Sequence, residues 1–117
     1  MMSAFLALAA SVPDARADLL VVLNKSDHEA ALVDPSSLEV KAKLPTGRGP
    51  HEVAISPDGA LAYVSNYGVF NVFRDGEQRS EPGNSLTVLD LGKRAVRDTF
   101  DLGGYSRPHG IQVSADG

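Results

Sequence analysis

PHEVAISPDG, residues 50–59, and PHGIQVSADG, residues 108–117, are near-copies of one another. Pro, His, Ser, Asp and Gly recur in register, and Val/Ile, Ile/Val and Pro/Ala exchanges account for three of the other positions. Two further pairs flank this one. LLVVLN at 19–24 matches LAYVSN at 61–66, and ALVDPSSLEV from Ala31 matches TVLDLGKRAV from Thr87 more loosely. An internal repeat means that one small unit is stacked along the chain, each copy packing on the last. The second copy stops at Asp116-Gly117, where the first runs on into its next strand, so the array is expected to be incomplete within these residues.

Each unit reads as short β-strands. Residues 19–23 form a continuous apolar run, the pattern of a strand buried on both faces. Residues 30–34 and 40–44 follow, separated by a Pro35-Ser36-Ser37 turn. Residues 45–50, PTGRGP, are a loop. Residues 52–56 alternate, with Val53 and Ile55 set against Glu52, Ala54 and Ser56. Pro57-Asp58-Gly59 then turns the chain: proline presets φ, aspartate closes an Asx-turn and glycine takes positive φ. Residues 61–65 are the next strand. No segment after the first 17 residues carries a helical period.

The spacing selects the architecture. Asn24 and Asn66 lie 42 residues apart, and His51 and His109 lie 58 apart. The longer interval holds an insertion, residues 69–83, VFNVFRDGEQRSEPG. Without roughly 16 extra residues it returns to the ~40–45 of a four-stranded propeller blade. A β-sandwich also fits regularly spaced strands, but it gives no reason for sequence self-similarity at this period. The insertion is expected to form an extended hairpin over the propeller face, with Phe70 and Phe73 packed beneath it. A mobile loop is the other reading.

GPHEVAISPDGALAYVSN, followed by NSLTVLDL and DTFDLGG, resembles the YVTN-type β-propeller repeat of YncE-like proteins. Tyr63-Val64-Ser65-Asn66 stands where that motif falls, and the resemblance covers residues 19–117. It implies an all-β propeller fragment. Residues 52–56, 61–65, 85–89 and 96–100 would form one whole blade, numbered from the centre outward. Residues 19–44 would give the outer three strands of the preceding blade, and residues 110–114 would open the next. The family's geometry implies a seven-bladed ring, closed by a strand from elsewhere in the chain. The full-length protein would be monomeric, whereas this stretch alone would expose both faces of its blade and be unstable as a monomer.

Composition narrows the function. A net charge of -4 leaves no broad basic field for nucleic acid. No apolar run approaches the ~20 residues of a membrane helix. With no cysteine, disulfides, thiolate metal sites and cysteine nucleophiles are excluded. Residues 1–17 read as a signal peptide: an apolar run at 4–12 precedes Ala15-Arg16-Ala17, a small-x-small cleavage site, although no basic residue precedes Arg16. Residues 18–117 are then the propeller segment of a periplasmic or secreted protein. A short apolar helix packed on the domain is the alternative.

His51 and His109 are the leading site candidates. Each precedes an inner strand, so the resemblance places both at the rim of the central channel, where imidazoles can bind an anion, a metal or a cofactor edge. A histidine repeated once per blade can equally be a fold element bonded to its neighbour. Arg107, Asn66 and Tyr67 lie on loops that share that mouth: arginine to grip carboxylate or phosphate, tyrosine to stack on a planar ligand. Tyr105 offers a second ring. Glu52 beside His51 is set aside as a metal pair, because adjacent strand residues point to opposite faces. His28 reads as an exposed loop residue, and Asp34, Asp58, Asp90 and Asp116 as turn residues. No catalytic residue and no metal ligand set is assigned.

The function expected is an exported binding or scaffold module, taking a small molecule or a protein at the channel mouth, with its cofactor unknown. Two enzyme readings compete. One is a lactonase-like, metal-dependent hydrolase, of whose carboxylates only Glu52 is present here. The other is a redox propeller holding a haem or quinone, supported by the repeated histidine but without C-x-x-C-H. G-x-S-x-G, P-loop and dinucleotide signatures are absent.

Overall fold

A computed structural model describes residues 18–117; the expected leader lies outside the described residues. Seven strands and no helix occupy the described part: β1 Leu20–Asn24, β2 Glu29–Val33, β3 Val40–Pro45, β4 Pro50–Ile55, β5 Leu61–Val72, β6 Gln78–Asp90 and β7 Ala95–Asp101. They form two antiparallel sheets, ordered β1-β2-β3 and β4-β5-β6-β7. The second sheet is the expected blade, its strands in chain order, with Val53 opposite Val64 and Ala54 opposite Tyr63.

Local chemistry makes the β4–β5 turn. The Gly59 N–H donates to the Ser56 carbonyl at 2.8 Å, and Gly59 takes φ +70. Asp58 Oδ1 accepts from the Ser56 hydroxyl and the Ala60 N–H, while Ser56 Oγ accepts from the Leu61 N–H. Asp34 and Asp90 cap their turns in the same way, accepting from Ser36 and Ser37 and from Lys93. These backbone donors hold the Asp34 carboxyl below its usual range.

The core lies between the two sheets. Ala30, Leu32 and Leu44 of the first pack with Ala62, Val64 and Leu89 of the second, and with Leu91 beyond it. Alternation explains the selection, since one face of each strand meets the neighbouring sheet. β1 departs from expectation. Leu20 and Val22 are exposed, while Val21 and Leu23 pack on the core. Its continuous apolar run therefore covers one buried face and one open face.

The chain passes from one sheet to the other through residues 46–49, and this crossing is tightly keyed. The Gly47 N–H donates to Thr87 Oγ1 at 3.1 Å, and the Gly49 N–H donates to His28 Nδ1 at 3.0 Å. Tyr67 N–H returns a bond to the Gly49 carbonyl, and Gly68 N–H one to the Arg48 carbonyl. A Cβ on Gly49 would sit 2.2 Å from the Gly68 carbonyl oxygen, and Gly49 has φ +59. His28 is thus not a free loop residue: it is half-buried and accepts a hydrogen bond from the crossing.

Two further expectations change. The insertion does extend β5 and β6 as a hairpin, closed by Phe73 N–H to the Glu77 carbonyl at 2.8 Å. Phe70 and Phe73, however, are 52% and 47% exposed, so they are not packed beneath the hairpin as core residues. Residues 110–114 form no strand, because no other strand among the described residues lies beside them to complete a ladder.

Core and hairpin should separate in stability. Leu89→Ala should cost about 2–5 kcal/mol, the usual range for a fully buried leucine, and Phe70→Ala should stay within about 0.5 kcal/mol, both read from urea unfolding. Equal losses would contradict the placement of the core.

Candidate functional site

The two repeated histidines meet. His51 Nε2 and His109 Nε2 lie 2.8 Å apart, and their rings are near-perpendicular at 87° with centroids 4.2 Å apart. His109 Nδ1 lies 3.1 Å from Glu52 Oε1. The donor and acceptor of the imidazole pair follow the tautomer: with its proton on Nδ1, toward Glu52, His109 presents an Nε2 lone pair to His51 Nε2–H. Glu52, His109 and His51 form one chain of polar contacts.

The register explains why Glu52 takes part. β4 pairs regularly with β5 from Glu52 onward, but its register shifts between Pro50 and Glu52. A bulge of this kind breaks the alternation of side chains. The consecutive residues His51 and Glu52 therefore both reach the His109 ring, which corrects the expectation that they face apart. His109 itself is held through its backbone, whose carbonyl accepts from Ser65 Oγ at 2.9 Å.

Tyr67 stands beside the pair, 5.2 Å from the His51 ring and 5.7 Å from the His109 ring. Two cations lie over it, Lys25 Nζ at 4.7 Å and the Arg107 guanidinium at 5.0 Å from the ring centre. Both distances fall within the range of cation–π attraction. Arg107 takes positive φ, donates its backbone N–H to the Gly83 carbonyl at 2.7 Å and gives Nη2 to Ser80 Oγ at 2.5 Å. Its Nη1 is buried without a hydrogen-bond partner among the described residues. The chain is acidic overall, yet this corner gathers two cations and two imidazoles around one carboxylate.

Of the five residues expected at the channel mouth, the structure brings together His51, His109, Tyr67 and Arg107. Asn66 is placed elsewhere. Its side chain is fully buried, and Nδ2 donates to Ser85 Oγ at 3.0 Å and Thr87 Oγ1 at 2.9 Å. Tyr105 is 82% exposed. Lys25 was not foreseen, because it lies in the β1–β2 turn of the preceding sheet and only the packing of the two sheets delivers it.

No protein-family model and no curated protein matches the chain. Solved structures do. Dihydro-heme d1 dehydrogenase NirN in complex with DHE is 25% identical, over 92% of this chain and 20% of that one, with a TM-score of 0.62. Kuenenia stuttgartiensis hydrazine synthase is 20% identical, over 75% of this chain and 34% of that one, with a TM-score of 0.41. This chain thus spans about a fifth of the length of NirN. The architecture is that of a β-propeller, with one complete four-stranded blade preceded by three strands of its neighbour.

The electrostatics make a direct prediction. Partial burial, first, and then the positive charge of Lys25 and the neighbouring His109 push the His51 pKa below its ordinary 6.5, while Glu52 opposes them. A proton that binds the unfolded chain more tightly favours unfolding, so stability present above about pH 6.5 is lost as pH falls through the depressed value. An NMR titration should place the His51 midpoint below 6.5, and Lys25→Ala should move it upward. A midpoint at or above 6.5 would contradict this electrostatic picture.

Proposed function

We propose that the chain belongs to an exported binding propeller of the YVTN type, which takes a flat, anionic small molecule at the corner built by His51, His109, Tyr67, Lys25 and Arg107. The observation that carries this reading is the placement of Lys25 and Arg107 over one tyrosine ring, beside two imidazoles. Cations recognise carboxylates, and an aromatic face recognises a conjugated ring. The unpartnered Nη1 of Arg107 is a donor ready for such a carboxylate.

The ligand class that fits this set is a carboxylate-bearing tetrapyrrole. NirN, the structure described above, is a dihydro-heme d1 dehydrogenase solved in complex with DHE. When bound, such a macrocycle would supply an iron centre that the His51 or His109 imidazole would hold. Arg107 and Lys25 would hold its carboxylates, Tyr67 would lie against it, and Glu52, 3.1 Å from His109 Nδ1, would orient that imidazole. This reading gives the chain a binding role and assigns no catalytic residue. Export rests on the leader, and a mature N-terminus at Asp18, read by N-terminal sequencing, is the expected outcome.

Haemin is a practical probe. The purified protein should shift its absorption band saturably at one equivalent. Arg107→Gln or Tyr67→Leu should weaken binding by about tenfold or more, the equivalent of one charge-assisted contact. Unchanged affinity in both variants, or no saturable shift in the parent protein, would overturn the reading.

A further inference from the structure

We infer that His51 and His109 hold a divalent first-row transition-metal ion, Cu2+ foremost, through their two Nε2 atoms, with Glu52 orienting His109 from the other side of its ring. The ligand atoms offered by His51, Glu52 and His109 all lie within 4.8 Å of one another. The inference does not depend on a tetrapyrrole, because the ion is bound by the protein alone.

The ring geometry separates a metal site from a simple hydrogen-bonded pair. A head-on N–H···N bond of this length would leave the two imidazole centroids about 5 Å apart. The observed separation is 4.2 Å, with the nitrogens 2.8 Å apart. The rings are therefore turned so that their nitrogen lone pairs do not lie along the N···N line. Two nitrogens bound to one ion at about 2.0 Å are about 3.3 Å apart at a tetrahedral angle, but about 2.8 Å apart at a right angle. The spacing matches the right angle, the preference of Cu2+ and Ni2+ in tetragonal sites of nitrogen and oxygen ligands. Cu2+ binds such ligands most tightly of the series.

Glu52 completes the arrangement. Its carboxylate stands 3.1 Å from His109 Nδ1, the placement of the carboxylates that orient metal-binding imidazoles. With both imidazoles neutral and protonated on Nδ1, each presents an Nε2 lone pair to the ion. The remaining coordination positions are left to water or to a bound anion.

The test uses Cu2+ alone, with no tetrapyrrole present, on the purified protein. Calorimetry should show one saturable equivalent, and electron paramagnetic resonance should show hyperfine splitting from two imidazole nitrogens. The His51→Gln/His109→Gln variant should lose the site, and Glu52→Gln should weaken it by about 10–100-fold. The spectrum of the unaltered protein decides the matter even if a variant misfolds. A signal from fewer than two nitrogens, no saturable equivalent, or full binding retained in a folded double variant would overturn the inference. Failure of haemin binding with copper binding intact would remove the tetrapyrrole reading and leave this one standing.

Discussion

Between Thr46 and Pro50 the chain must leave one sheet and enter the next through a gap with no room for a side chain at Gly47 or Gly49. A Cβ at Gly47 would lie 2.5 Å from Asn66 Nδ2 and from Ser85 Oγ, and one at Gly49 would lie 2.2 Å from the Gly68 carbonyl. The close approach lets the crossing bond to both sheets at once, through His28 on one side and through Thr87, Tyr67 and Gly68 on the other. Thr87 Oγ1 accepts from both Gly47 and the buried Asn66, so the same polar node ties the crossing to the centre of the blade. The relative position of the two sheets, and hence of everything at their shared end, depends on this junction.

The site is a consequence of that junction and of repetition. The crossing delivers the chain to Pro50 at the start of β4, and the register shift that follows sends His51 and Glu52 toward the same neighbour. The next copy of the motif delivers His109 to the same end, where Ser65 anchors its backbone. Lys25 arrives from the preceding sheet and Arg107 from the segment after β7. The two histidines, far apart in sequence, converge because each comes from the same point of its own unit. A repeat architecture makes such a cluster without any single loop encoding it.

Much of this was legible in the sequence. The copies at 50–59 and 108–117 marked the unit, the Pro57-Asp58-Gly59 turn marked the inner hairpin, and the recurring His marked the two imidazoles that meet. What was not legible depended on contacts between strands. Strict alternation placed His51 and Glu52 on opposite faces, and a register shift at one position undid that rule. The apolar run at 19–23 suggested two buried faces, but its outer face stays open, with Leu20 and Val22 exposed. Asn66 looked like a loop residue at the mouth. Its burial follows from pairing with Ser85 and Thr87, which only the β5–β6 register reveals. Phe70 and Phe73 invited a packing assignment because they are large and apolar, yet the hairpin carries them beyond the core.

The central claim is that equivalent histidines of successive repeat units touch at one end of the blades. Nuclear Overhauser contacts between imidazole ring protons measure this directly, with each histidine assigned by its glutamine variant. At a centroid separation of 4.2 Å, His51 and His109 should show strong ring-to-ring contacts, and His28 should show none to either. Absence of any contact between the His51 and His109 rings in the folded protein would contradict the account.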